Sequence, residues 1–268
     1  KSKNDSEQNA LKRFLKHFRS DHPKLKTILV TDALHANQPL LKELEKHQMS
    51  FILGVKPGSH EKLFAAIDKW DKLQRTNHLT REEEIGDKIK KKRVREYRYV
   101  NGMLLNHQDV NTAINYLEFW ETIQWVDRKG DLKETKVHFS WVTDFSLYES
   151  NVEEMARLGR ARWKIENETF NTLKNQGYEF EHNFGHGYKN LSSNFMLLMM
   201  LAFLVDQLQE VGCKLFGKAL QTEFGKRSRL WEKFTNLYEF LPAQITDWNM
   251  FLSLIAEPEE WTLTRNTS

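Results

Sequence analysis

The chain has 268 residues, 40% of them apolar and 29% charged, and its 40 Lys and Arg against 37 Asp and Glu leave a formal charge of only +3. Such proportions describe a globular protein long enough to bury a core. They exclude a disordered chain and a surface that attracts nucleic acid everywhere, so any such binding must come from local patches. The lone cysteine, Cys213, excludes an internal disulfide framework and fits a reducing compartment.

The first residues, from Lys1, are already helical in pattern: Leu11, Phe14, Leu15 and Phe18 recur at the spacing of an amphipathic helix, which Pro23 ends. A start of this kind predicts a chain cut from something longer. The stretch "KTILVTDALHANQPLLKELEKHQMSFILGVKPGS" predicts a strand over 28–30, a helix over about 38–47, a second strand over 51–55 and a Pro-Gly turn. That spacing makes a βαβ unit with both strands buried, and so an α/β fold. Asp32 falls just past the first strand. An Asp there is commonly a turn or cap residue, but the carboxyl ends of strands are also where open α/β sheets bind ligands.

A helix over 61–73 leads to the charge run "REEEIGDKIKKKRVREYRYV" and then to short, aromatic-rich, β-branched segments with turns at Asn101-Gly102 and Lys129-Gly130-Asp131. Residues 90–143 therefore read as an antiparallel β insertion. Lys90, Lys91, Lys92 and Arg93, with Tyr97 interleaved, could form a DNA-binding strand. The same run also reads as a solvated hairpin face balanced by Glu82 to Glu84.

Helix returns at about 149, with Ser150 or Asn151 as its cap, and runs to about 175. Arg162 and Glu166 share a face at i, i+4, flanked by Trp163 and Ile165. The pair reads either as a surface ion pair, worth roughly 0–1 kcal/mol, or as a carboxylate turned toward a ligand. Asn167, Asn171 and Asn175 form a polar line that a core-facing helix would not carry. His182 and His186 lie four apart in a loop without a Cys or a well-placed Glu, which argues against zinc. "FMLLMMLAFLV" (195–205), inside a helix over 193–210, falls short of the ~20 residues of a membrane span and reads as a buried core helix. No membrane partner is expected. The tail past Gly212 holds amphipathic pieces and a break at Pro242, with no assignable task.

In order, "VTDALHANQPLLKEL" at a strand end, a β insertion, and "RWKIENETFNTLK" ahead of an apolar helix resemble the bacterial DDE transposases of the IS-four type, over about residues 25–210. The resemblance implies an RNase H-like core. Residues 1–75 would be part of that core with Asp32, 76–145 the β-rich insertion, 146–210 core helices carrying Glu166, and 211–268 a C-terminal helical segment. It implies that Asp32 and Glu166 are two of three carboxylates holding a pair of divalent cations, Mg²⁺ or Mn²⁺. Hard cations take oxygen ligands, and two ions ~4 Å apart stabilise the attacking and leaving oxygens of a phosphodiester displacement. Arg162 and Lys174 would hold DNA phosphates, the one as a fork and the other as a point charge.

The implied activity is hydrolysis and strand transfer at the ends of an insertion sequence. Its substrates would be double-stranded DNA, as transposon ends and target, bound by a homo-oligomer in the bacterial cytoplasm at the nucleoid. The rivals are an RNase H-like nuclease, cutting without end-pairing, and a degenerate, non-catalytic DNA-binding remnant.

Three departures from the family pattern Y-(2)-R-(3)-E-(6)-K stand out. Gly159 takes the place of Tyr, and Lys174 lies one residue further from Glu166 than the pattern has it. One added residue turns a regular helix by ~100°, so either a bulge absorbs it or Lys174 points elsewhere. Before Asp32 only Asp5 and Asp21 could be the first Asp of the triad, and neither sits at a predicted strand. The first three strands of an RNase H-like sheet are therefore expected outside this chain, which is expected to be inactive alone.

Overall fold

The computed structural model describes residues 6–86, 89–105, 113–127, 129–185, 189–223, 225–240 and 247–257. The chain divides into two compact units, residues 1–163 and 164–268.

In the first unit, helix α1 (Glu7–Asp21) is capped by the Ser6 side chain, which accepts from the Asn9 N–H. Strands β1 (Ile28–Thr31) and β2 (Ser50–Gly54) pair in parallel, joined through α2 (Gln38–Lys46). The αβ register places Asn37 as the α2 cap, its side chain accepting from Leu40 N–H, with Pro39 in the first turn where its missing donor costs nothing. Helix α3 (Glu61–Lys72) follows β2.

Four strands then run antiparallel: β3 (Asn77–Ile85), β4 (Lys91–Leu104), β5 (Ala113–Val126) and β6 (Leu132–Thr143). They do not form a separate sheet. β6 pairs antiparallel with β2, Ile52 opposite Thr143, giving one six-stranded mixed sheet in the order β1-β2-β6-β5-β4-β3. This is the α/β class predicted from the βαβ pattern.

Strand alternation divides the apolar residues between the two faces of this sheet. On one face Tyr116 and Val142 pack with Leu41, Leu63 and Ile67 from α2 and α3. On the other, Leu117, Phe119 and Trp141 pack with Val152 and Ala156 of α4 (Val152–Arg160). β5 is covered on both faces at its base, which is why that strand is so aromatic. One polar residue is buried there: Glu118 is 3% exposed, yet it accepts from Arg98 Nε at 2.9 Å and lies 2.7 Å from His138 Nε2. Arg98 also reaches Asp68 and Asp71, so this buried carboxylate is fully partnered.

In the second unit a π-helical turn (Ile165–Phe170), preceded by the short α5 (Arg162–Lys164), runs into α6 (Asn171–Asn175), followed by α7 (Leu191–Gly212). The tail folds as α8 (Lys214–Thr222), α9 (Arg227–Phe240) and α10 (Trp248–Ala256) around Phe216, Leu230, Phe234 and Leu252. Asp206 on α7 is buried and accepts from the Tyr178 hydroxyl and the Trp231 indole N–H. Burial first, and the Asp206 carboxylate second, push the Tyr178 phenol above its usual range.

Helix α7 departs from expectation in two ways. It is 22 residues long, and its most apolar 18-residue stretch has mean hydropathy 1.6, so by length and composition alone it could cross a membrane. It is also not a buried core helix: Leu197, Leu198, Leu201, Leu204 and Leu208 are exposed, and only Phe203 and Asp206 are buried. Its apolar residues run all round the helix, whereas the contacts around Tyr178 and Trp231 occupy one side. Asp5, His186 and Pro242 lie outside the described residues.

Candidate active site

Asp32 directly follows β1, at the carboxyl end of the parallel pair, and its side chain is exposed. Its Oδ1 accepts from Leu34 N–H at 3.1 Å, an Asx-type turn that starts the loop into α2. That bond uses one lone pair and leaves acceptor capacity on the carboxylate. Nearby, His60 Nε2 lies 2.8 Å from the Ala36 carbonyl, tying the loop after β1 to the start of α3. Asp144, also just past a strand, serves the opposite end of β2, where its Oδ1 accepts from Phe51 N–H at 2.8 Å. Asp21 is the last residue of α1 rather than a strand residue.

Glu166 is exposed and lies in the π-helical turn. That turn is the irregularity expected from the extra residue before Lys174. A π-turn takes up one residue without advancing the helix face, so the Glu166-to-Lys174 interval behaves like one residue fewer. Both residues accordingly line one cavity of about 740 Å³, with Asn167, Phe170, Asn171 and Phe180. Lys174 Nζ lies 2.6 Å from Glu181 Oε1.

Arg162 lies half-buried at the end of the first unit, its guanidinium 5.9 Å from the ring centre of Trp163. Trp163 is exposed and meets Phe139 edge-on. Gly159, where the family pattern has Tyr, is buried against the Trp141 indole. No side chain fits at that position, so the lost aromatic is replaced in space by one from β6.

The basic run is divided by the pleat. Lys91 lies over the Trp125 ring, and Arg93 on the same face bonds Glu83 at 2.9 Å, whereas Lys92 on the other face pairs with Glu82 at 2.9 Å. Lys90 precedes the strand and is exposed. Tyr97 is buried against Phe119, so it is not open to a nucleic-acid base.

A family model described as a transposase DDE domain matches residues 1–204. This chain belongs to the DDE transposase family. A comparison with curated proteins finds no match. The transposase's six-stranded mixed sheet with flanking helices is consistent with an RNase H-like catalytic domain. Membership implies a DNA substrate and, in general, divalent metal.

The two carboxylates expected from the sequence to bind metal suit it in kind. Asp32 and Glu166 are exposed carboxylates, the oxygen donors that a hard cation prefers. Among the described residues no three His, Cys, Asp or Glu side chains group as a metal cluster. Phe170 and Phe180 escaped the sequence reading altogether. Phe180 enters the cavity from beyond α6, and nothing in the helical pattern points to it. Asn167 and Asn171 had a signal in the polar line, but no assigned task.

Proposed function

We propose that this DDE transposase cuts and joins DNA at the ends of an insertion sequence, using Asp32 and Glu166 to bind its catalytic metal. The observation that carries this reading is the cavity shared by Glu166 and Lys174, which the π-turn creates despite the altered spacing. A bound pair of Mg²⁺ or Mn²⁺ ions supplies Lewis-acid stabilisation of the attacking and leaving oxygens.

The chain's own residues do the rest. Asp32 and Glu166 contribute anionic oxygens, and Lys174 and Arg162 offset the charge of the scissile phosphate. Of the basic run, Lys91 and Arg93 on one face of β4 contact the DNA backbone further out, with Lys90 just before the strand, while Lys92 on the opposite face stays with Glu82. The protein works as a homo-oligomer on double-stranded DNA, at the bacterial nucleoid in the cytoplasm.

The test is incubation of the purified protein, both as this chain and as the longest open reading frame that contains it, with DNA carrying the element's ends, in Mg²⁺ or Mn²⁺. Metal-dependent cleavage and joining, lost in Asp32→Asn and in Glu166→Gln, supports the reading. Cleavage without joining would replace it by the nuclease reading, and DNA binding without cleavage under any metal by the binding-only one.

A further inference from the structure

We infer that the open edge of β6 is the surface on which two copies of this chain pair, strand to strand, antiparallel and centred on Thr135. This rests on the homo-oligomer reading above and deepens it, because it names the surface and its register.

β6 spans Leu132–Thr143, but β2 covers only its last residues, with Gly54 opposite Trp141 and the Val55 N–H donating to the Ser140 carbonyl at 3.0 Å. Among the described residues no strand pairs with residues 132–139 on that side, and 132–138 are exposed. The strand is regular there: its register with β5 runs unbroken from Thr143 to Leu132, and it contains no proline. Such an edge presents a row of unpaired N–H and C=O groups, a template for another strand. The Ser140 backbone faces β2, so alternation turns the backbone groups of Leu132, Glu134, Lys136 and His138 the same way, outward from β5.

The charges decide what pairs there. Two antiparallel copies meet about a two-fold axis, so the residue on that axis fixes the register. An axis at Glu134 sets that carboxylate against its own copy, and an axis at Lys136 does the same for the ammonium. Axes nearer either end shorten the ladder or run into β2. An axis at Thr135 instead places Glu134 opposite the partner's Lys136, and Lys136 opposite the partner's Glu134. The same axis sets Leu132 against the partner's His138. These are the four residues whose backbone groups point outward, so charge and hydrogen bonding select one register. Thr135 then meets the partner's Thr135 at a non-hydrogen-bonded position, where Cα atoms come to about 4.5 Å. Leu132, 71% exposed in the single chain, gains cover from a His138 ring that is stacked on Trp120. Lys136 Nζ lies 3.0 Å from Glu134 Oε2 within one strand, an exposed pair weak enough to exchange across the axis. Charges on an edge usually blunt it, but this alternation blunts β6 against other strands while matching it to itself. The opposite edge, β3, carries three successive carboxylates, Glu82 to Glu84, and has no such match.

The experiment measures self-association of the full chain by sedimentation, alone and on DNA carrying the element's ends. Glu134→Lys and Lys136→Glu each turn two attractive pairs into two like-charge ones, and each should weaken the dimer by about ten-fold. Mixed in equal amounts, the two variants should recover the wild-type affinity, because each then faces the opposite charge. Mixing would not mend a folding defect. In a Cys213→Ser background, Thr135→Cys should give a disulfide-linked dimer under mild oxidation, since the two thiols meet on the axis, whereas Glu82→Cys on β3 should not. A dimer that keeps its affinity in both charge variants, or variants that do not recover on mixing, would overturn this edge while the homo-oligomer reading stands. Absence of the cross-link at residue 135 would do the same. A chain that stays monomeric with and without DNA would overturn both.

Discussion

Trp141 and Gly159 interlock: a Cβ placed on Gly159 would lie 2.6 Å from Trp141 Cε2 and 2.7 Å from Nε1, inside any permitted contact. The ring is buried in the sheet and cannot swing away, so α4 approaches β6 only because residue 159 has no side chain. Two effects oppose each other in Gly159→Ala. Helix propensity favours Ala by about 1 kcal/mol, whereas overpacking costs about 1–3 kcal/mol. We expect the clash to win, with a lower denaturant midpoint that Trp141→Phe partly restores. A Gly159→Ala variant more stable than wild type would show that the contact is loose.

The π-turn makes a prediction about chain length. Deleting Thr169 should convert Ile165–Phe170 to regular helix and keep Lys174 on the Glu166 face, with DNA cleavage largely retained. Inserting an alanine after Asn167 should swing Lys174 by ~100° and abolish cleavage at unchanged helix content. Equal activity in both variants would remove any role for the register.

Strand alternation limits what the basic run can contribute. Lys91 and Arg93 face one side of β4 and Lys92 the other, so one duplex can meet only one set. Replacing Lys91 and Arg93 with Ala should lower the slope of log affinity against log salt by about two, at roughly 0.9 per phosphate contact. Lys92→Ala should leave it unchanged. An unaltered slope in the double variant would return the run to the ion-paired hairpin face that Glu82 and Glu83 already suggest.

The cluster at the base of the sheet predicts both a stability and a pH effect. Glu118→Ala removes the buried partner of Arg98 but leaves its pairs with Asp68 and Asp71, so it should cost about 1–3 kcal/mol, measured by denaturant unfolding. At the edge of the cluster the Thr76 hydroxyl lowers the Asp71 carboxyl, opposed by burial and aided by His78 and Arg98, leaving it below the usual carboxylate range. A depressed folded value contributes stability above the unfolded pKa, near about 4, and loses it as pH falls through the lower folded one. Asp71→Asn should therefore flatten the stability profile on its acid limb, below about pH 4, and leave the slope near neutrality alone.

Local patterns were readable in the sequence because their causes are local. The βαβ unit followed from apolar periodicity, and the expected bulge followed from counting residues between Glu166 and Lys174. What depended on distant partners was not readable. Nothing near Ile52 announces Thr143 as its neighbour, so the insertion's membership in the same sheet could not be foreseen. Gly159 looked like a loss until Trp141 came to fill its place. The apolar run of α7 signalled burial, but composition does not say whether a covering surface exists. Phe180 lines the Glu166 cavity only through its position beside Phe170, which the helical pattern does not encode.

The central claim is that Asp32 and Glu166 serve one metal, and iron-directed backbone cleavage tests it most directly. Iron(II) occupies oxygen-ligand sites in place of Mg²⁺ and, with ascorbate and peroxide, generates hydroxyl radical that cuts the chain beside the ion. We predict cuts clustered near both residue 32 and residue 166, suppressed by excess Mg²⁺ and lost together in either Asp32→Asn or Glu166→Gln. Cuts near only one of the two residues, or cuts that survive either substitution, would contradict it.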